Sequence, residues 1–344
     1  EAPRDRCRGL IGLAAADRMQ ADIARAMTTL GEAEPIALAL DDPALLAEIG
    51  YLRGNLHFAL GKADECLNEH RRALLAAKRA DAPEWKARAR SGIGDAYYMQ
   101  GRFRSAAREF LRAVEIAKAN NLLRIVGVNL AMAGNTEFYS MQFDRAFALI
   151  EESRKIANQI GDRFGDMFAH ECHTISLLWL GRWDELGPVA ALALEKARAL
   201  GARRYESILL PPIALVHFMA GRRDEAEQTI REAMRISEET GPGFCGGIIC
   251  GIAAKVERDP ERSAAAIARG EALLRETGLS HNHIWLRIFA IDRALADRDW
   301  EGVERQIGRL TQYTAAEPLP FIDLMLDRAR ALMRLACDPE DPTA

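Results

Sequence analysis

The chain has 344 residues, of which 49% are hydrophobic and 28% are charged, and its formal net charge at pH 7 is -4. This composition is typical of a protein that folds in water, and the small net charge does not favour nucleic acid or a membrane as partner. Its apolar runs fall short of the roughly 20 residues that a membrane-spanning helix needs, and no signal-peptide pattern opens the chain. The six cysteines form no CxxC pair, a usage that favours reduced thiols and a cytoplasmic location.

A sequence period of 40 residues runs along most of the chain. The segment that begins at Gly61 recurs with changes at positions 101, 141, 181 and 221, and weaker copies begin at 258 and 298 after one step of 37. Such a period is typical of repeat proteins, in which each unit packs only on its neighbours. We count eight units, with hairpin turns near 21, 61, 101, 141, 181, 221, 258 and 298, and predict a single α-solenoid domain over residues 1–344.

Each unit is predicted to be a pair of helices. Small and apolar residues recur at helical spacing over 85–100, stop at Gly101 and resume over 106–117. The glycines at 61, 101, 181 and 221 are expected to end a helix in the left-handed conformation. The aspartates at 64, 144, 184 and 224 are expected to cap the next helix or to complement its dipole.

Small residues at repeat spacing predict where two helices approach closely. In the first helices they are Gly54, Gly94, Gly134 and Gly251, and in the second helices Ala73, Ala113, Ala193, Ala233 and Gly270. Close packing also explains the glycines over 241–251 better than a phosphate loop does, because no strand precedes them. At the end of the chain, residues 321–337 are predicted to form an amphipathic capping helix and 338–344 a disordered tail.

Two units carry a family resemblance. Gly54-x-x-His57-x-x-x-Gly61 and Gly94-x-x-Tyr97-x-x-x-Gly101, with Ala106, Phe110 and Ala113 after the second, resemble the tetratricopeptide repeat. The resemblance implies an all-α, right-handed superhelical solenoid of about eight antiparallel helix hairpins. The period departs from the family's, and the proline usual at the end of the second helix is missing, which predicts a longer second helix. HEAT and armadillo repeats share the period but not this placement of glycine and alanine.

The phrases at 33–43 and 156–162 give the chain a second resemblance, one of style. They are similar to the C-terminal repeat region of large bacterial signalling proteins, in which an ATPase domain, often with a class III adenylate or guanylate cyclase domain, precedes the solenoid. The resemblance implies a regulatory or sensor region of a larger protein. Its partners would then include N-terminal ATPase or cyclase domains of the same chain.

Catalytic and metal-binding motifs are not found. There is no GxxxxGK[ST] phosphate loop, and His170, Cys172 and His173 put only two ligands on one helix face without an identifiable third. We therefore predict no enzyme activity, no metal and no cofactor. Pro211 and Pro212 lie where a first helix should run, and we expect them to delay or kink it, with a ligand pocket as the less favoured consequence.

The first helices are expected to line a concave groove, which is the surface that such solenoids offer for recognition. Three rows at repeat spacing supply the candidate partner-binding residues, which are Tyr51, Asn55, Phe58, Asp95, Tyr98, Asn135, Phe138, Glu171 and Phe218. Side-chain amides beside aromatic rings suit an extended peptide. The alternative is that the aromatic row is core between units.

Three functions remain open at this point. A protein-interaction or scaffold module that binds a peptide or protein is favoured, because the chain repeats a surface and has no convergent catalytic group. The alternative is a small-molecule-sensing regulatory domain that controls an ATPase or cyclase. A helical-toroid enzyme is the least supported.

Overall fold

The structure is a computed structural model that describes residues 2–20, 22–243, 245–277 and 280–337. These residues form seventeen α-helices and no strand. The helices are α1 Pro3–Met19, α2 Ile23–Ala39, α3 Pro43–Ala59, α4 Ala63–Arg79, α5 Pro83–Met99, α6 Phe103–Ala119, α7 Leu123–Phe138, α8 Phe143–Gln159, α9 Arg163–Leu180, α10 Trp183–Ala199, α11 Arg203–Met219, α12 Arg223–Thr240, α13 Gly246–Val256, α14 Pro260–Thr277, α15 Ser280–Asp297, α16 Trp300–Thr314 and α17 Pro320–Cys337.

The sequence period corresponds to a regular spacing of helices. From α1 to α12 each helix begins 20 residues after the one before, so that two helices and two short links make one 40-residue unit. The predicted all-α solenoid of helix pairs followed by a capping helix is confirmed. Both helices of the second pair, α3 and α4, have 17 residues. We expected only the second helix to be longer, but the two helices have the same length.

The step of 37 residues arises at α13, which has only 11 residues. The glycines of this region allow close packing, as predicted. The backbone N–H of Gly247 donates to Oδ1 of Asn282 at 3.1 Å, and a Cβ added at Gly251 would lie 3.0 Å from the Phe289 ring. α13 therefore packs closely on α15 over this stretch.

From α2 to α12, each link between consecutive helices contains one left-handed residue. Gly61, Gly101, Gly181 and Gly221 have φ of 72°, 73°, 66° and 76°, as predicted for helix-ending glycines. Met141 takes the same conformation at φ 59°. The predicted capping role of the aspartates is wrong, because Lys62, Gln142, Arg182 and Arg222 are the N-cap residues and Asp64, Asp144, Asp184 and Asp224 lie in the first helical turn. At these positions the carboxylates interact favourably with the positive end of the helix dipole.

The chain divides into two compact units. Unit 1 extends to Gln100 and includes Ser105–Ala133, whereas unit 2 includes Gly101–Arg104 and continues from Gly134. The single domain that we predict over residues 1–344 remains a prediction. The tail at 338–344 lies outside the described residues.

In unit 1 the predicted small residues of the first helices face large side chains of the second helices. A Cβ added at Gly94 of α5 would lie 2.5 Å from the ring of Phe110 in α6. Gly54 of α3 faces His70 of α4 in the same way. Since Phe110 and His70 are both fully buried, the glycines make the space for these side chains.

Unit 2 contains a contact that the repeat pattern does not predict. Nε1 of Trp285, in α15, donates to the hydroxyl of Tyr139, which directly follows α7, at 2.8 Å. The rings of Phe103, Phe138 and Phe321 pack against the same tyrosine, and the Trp179 ring packs on Phe321. The expectation that each hairpin packs only on its neighbours is therefore wrong in unit 2, because 146 residues separate Tyr139 from Trp285.

Pro211 and Pro212 do not shorten α11. The helix begins at Arg203, in step with the others, and continues through both prolines to Met219. Both proline rings are buried. The expectation that they would delay the helix is wrong, because tertiary packing holds this segment helical.

Candidate functional site

The first helices of two hairpins in unit 1 present a partly exposed face of aromatic and polar side chains. Tyr51, Asn55 and Phe58 lie on α3, and Asp95 lies on α5, which packs against α3. All four side chains are intermediate in exposure. We name this surface, together with Trp85 and Arg88 of α5, the α3–α5 face.

Trp85 and Arg88 of α5 belong to the α3–α5 face although the sequence analysis did not select them. The rings of Tyr51 and Trp85 lie 5.7 Å apart, and the guanidinium carbon of Arg88 lies 5.8 Å from the first ring and 5.7 Å from the second. Nε of Arg88 also donates to Glu84 at 2.9 Å. The spacing of 85, 88 and 95 along one helical face is the signal that could have found them.

Asn55 and Asp95 supply the polar groups of the face. Within the part of the chain that the structure describes, no hydrogen bond reaches either side chain. Burial among the surrounding helices raises the pKa of Asp95 to about 7, and the thiol of Cys66 is the titratable neighbour that feels its charge. An amide and a carboxyl group are thus only partly exposed, and neither has a hydrogen-bond partner among the described residues.

Tyr98, the other candidate of unit 1, is only 7% exposed. Its side chain, on α5, lies in the packed interior, whereas Phe58, one repeat earlier, remains partly exposed. Equivalent positions of the aromatic row therefore differ in exposure from one repeat to the next.

Among the candidates in unit 2, two side chains remain partly exposed. Asn135 of α7 has no hydrogen bond among the described residues. Phe218 of α11 is covered on one side, since the guanidinium of Arg223 lies 3.7 Å from its ring centroid. Asn135 therefore offers an amide, and Phe218 offers a ring that already has a cation as its neighbour.

Phe138 and Glu171 are buried in unit 2. Phe138 is 1% exposed, and the ring of Phe321 lies 5.1 Å from its own. Glu171 is 8% exposed, and burial raises its pKa to about 7. The thiol of Cys172 donates to its carboxyl group at 3.6 Å. The structure therefore does not present either side chain to a partner.

The histidines near Glu171 make contacts of ordinary packing. Nδ1 of His170 donates to the carbonyl oxygen of Asp166 at 2.8 Å, and the His173 ring meets that of Phe147 edge to face at 5.3 Å. The described residues contain no group of three histidine, cysteine, aspartate or glutamate side chains that could hold a metal ion. The absence of a cofactor and of enzyme activity stays a prediction.

Two crevices of the surface follow the repeat itself. One is lined by Asp81, Lys86 and Glu115 in unit 1, and the other by Gly161, Asp166 and Glu195 in unit 2, which are the equivalent positions 80 residues later. Because the same crevice recurs at repeat spacing, we assign it to the packing of neighbouring hairpins and not to a ligand site.

Comparison with known proteins identifies the repeat. The tetratricopeptide repeat model matches residues 45–119. The sequence has no significant match among curated proteins. Within the described residues, no helix combines the length and the apolar character required to cross a membrane.

Solved structures show the same fold at low identity. A Rap protein in complex with Competence and Sporulation Factor is 13% identical, with a TM-score of 0.65 over 97% of this chain and 99% of that one. NprR in complex with its cognate peptide NprX is 11% identical, with a TM-score of 0.64 over 96% and 97%.

A third structure is that of a signal transduction ATPase with numerous domains from Pyrococcus horikoshii, which has a tetratricopeptide repeat sensor. It is 15% identical, with a TM-score of 0.59 over 79% of this chain. The chain spans 43% of the length of that protein. The tetratricopeptide-like helical solenoid predicted from the sequence is thus confirmed, and at these identities the similarity concerns the fold.

Proposed function

We propose that this protein is a peptide- or protein-binding repeat module and that the α3–α5 face binds an extended segment of the partner. The observation that carries the proposal is the combination of unpaired Asn55 and Asp95 with the accessible rings of Tyr51 and Phe58. Side-chain amide and carboxyl groups hydrogen-bond a peptide main chain, while aromatic rings pack on its side chains. The cognate peptide bound by NprR, a protein of this fold, supports the same class of ligand.

The test is a selection of random peptides displayed on phage against the full chain, followed by affinity measurements with variants. We expect Asn55→Ala and Phe58→Ala each to weaken binding of a selected peptide about tenfold or more, which corresponds to about 1.4 kcal/mol.

Matched controls lie on α4 of the same hairpin. Asn68 and Leu75 are exposed there, and Asn68→Ala and Leu75→Ala should leave the affinity unchanged. Peptides whose binding ignores the α3 substitutions and depends on the α4 ones would move the interface to the other side of the hairpin.

Asp95 gives the proposal an independent signature. Its folded-state pKa of about 7 lies above the unfolded value of about 3.9, so ionisation of this group opposes folding as the pH rises from the lower value to the higher one. Asp95→Asn should therefore make the protein more resistant to urea at neutral pH while it weakens peptide binding. A variant that is stabilised and binds equally well would assign Asp95 no part in recognition.

A sensor role in a larger signalling protein is the second candidate. It is supported by the fold shared with the repeat sensor of the signal transduction ATPase, of which this chain spans 43%. The test is to express an ATPase or cyclase domain encoded in the same reading frame with and without this region. Regulation predicts that the nucleotide turnover of the enzyme domain changes when the selected peptide is added, whereas an unchanged turnover would leave only a scaffold role.

A further inference from the structure

The link between α16 and α17 and the first turn of α17 lie in an aromatic site of unit 2. Residues 315–319 form this link, and Pro318 and Pro320 flank Leu319. Leu319 is fully buried and Phe321, at the start of α17, is 2% exposed. Pro320 is the first residue of α17, a position that suits proline, and Phe321 follows it in the first helical turn. The segment 317–321 therefore resembles a short peptide that the chain itself supplies.

The site that holds this segment is formed by aromatic rings from the end of α7, the residue after it, and α9. The Phe321 ring lies 5.1 Å from Phe138, 5.9 Å from Tyr139 and 6.1 Å from Trp179. We name these three residues the aromatic seat. The hydrogen bond from Trp285 to the Tyr139 hydroxyl holds the middle ring in place.

The remaining contacts of the segment are those of a bound peptide. The backbone N–H of Phe321 donates to the carbonyl oxygen of Tyr139 at 3.2 Å, and the carboxylate of Glu317 pairs with Arg102 at 3.9 Å. One main-chain hydrogen bond, one buried aromatic anchor and one ion pair at the rim are the means by which grooves recognise extended peptides.

The aromatic seat also includes a residue of the predicted binding rows. Phe138 lies at the position that Phe58 holds on the α3–α5 face, 80 residues earlier, where the ring is partly exposed. In unit 2 the chain covers that position with Phe321. The same repeat position is thus accessible in one unit and occupied by the chain in the other.

We propose that residues 317–321 are an internal, autoinhibitory ligand of the aromatic seat, and that their release exposes the seat to a partner segment in which a proline directly precedes an aromatic anchor. The proposal concerns a surface separate from the α3–α5 face and does not rest on the function proposed for that face. Release detaches the Phe321 ring and its single main-chain hydrogen bond, and it leaves the Trp285 to Tyr139 bond in place.

The first test uses a fluorescent peptide with the sequence of residues 316–323 and the full-length chain. Phe321→Ala removes the internal anchor, so we expect the variant to bind the peptide at least tenfold more tightly than the wild type, by fluorescence anisotropy. The same peptide with alanine at its phenylalanine position is the control and should not bind. Equal affinity for both proteins, or no binding to a variant with an unchanged circular dichroism spectrum, would overturn the proposal.

The second test applies to the wild type and does not depend on the folding of the variant. Hydrogen exchange should show that the Phe321 amide opens at least tenfold more readily than the buried amides of α9, with little dependence on denaturant, because release is local. Exchange of this amide only through global unfolding would overturn the proposal, since the segment would then be a fixed part of the core.

Discussion

His70 is a polar residue at a position that is otherwise apolar. Its imidazole is fully buried, close to Gly54 and Gly92, and neither ring nitrogen has a hydrogen-bond partner among the described residues. Burial lowers its pKa to about 3, with the nearby charge of His57 as a smaller cause. The equivalent residues of other hairpins are Leu30, Phe110, Ile150 and Ile230, all buried. The site is built for an apolar side chain.

We predict that His70→Leu stabilises the protein by about 1–3 kcal/mol, since it removes unpaired buried polar atoms and keeps a similar volume. Urea unfolding monitored by circular dichroism measures the change. A destabilised variant would indicate that the imidazole makes a favourable contact that its neighbours do not reveal.

The same residue makes stability depend on pH. A histidine with a folded pKa of about 3 and an unfolded pKa of about 6.5 opposes folding increasingly as the pH falls below the unfolded value. From about pH 6.5 to about pH 5 the wild type should lose roughly 2 kcal/mol relative to His70→Leu. Parallel pH profiles of the two proteins would disprove the assignment to His70.

At the scale of the helix, glycine has opposite roles at two positions of unit 1. A side chain at Gly94 must displace the Phe110 ring, whereas a Cβ at Gly31 of α2 meets nothing within 4 Å. Gly94→Leu should therefore destabilise by about 1–3 kcal/mol, and Gly31→Ala should stabilise by about 0.5–1 kcal/mol through helix propensity. Melting temperatures of the two variants check both signs. A Gly94→Leu protein as stable as the wild type would contradict the α5–α6 packing.

The sequence predicts the elements well because each is a local pattern repeated at a fixed interval. Residues within one 40-residue repeat determine the turns at Gly61 and Gly101. They also determine the close contacts of Gly94 and Gly134 with the second helices of their hairpins. The capping prediction at Asp64 failed because the residue three positions after the glycine already lies inside the helix. Aspartate side chains do cap helices at other links. Asp42 accepts from backbone N–H groups at the start of α3, and Asp162 accepts from one at the start of α9.

At the scale of the whole molecule, contacts between distant hairpins are absent from any local pattern. The period places Phe58 and Phe138 in equivalent positions, but it does not indicate that Phe321 covers only the second one. That contact depends on the rotation accumulated over several hairpins, which no single repeat encodes. Four residues of the α3–α5 face could be predicted, whereas its Trp85 and Arg88 and the aromatic seat of unit 2 could not.

The most direct test of the proposed binding face is photo-crosslinking. p-Benzoylphenylalanine placed at position 58, on the partly exposed side of α3, should crosslink a selected peptide in high yield, and unlabelled peptide should compete. The same probe placed at position 75, on the exposed surface of α4, should give no competed crosslink. Competed crosslinks from position 75 and none from position 58 would contradict binding at the α3–α5 face.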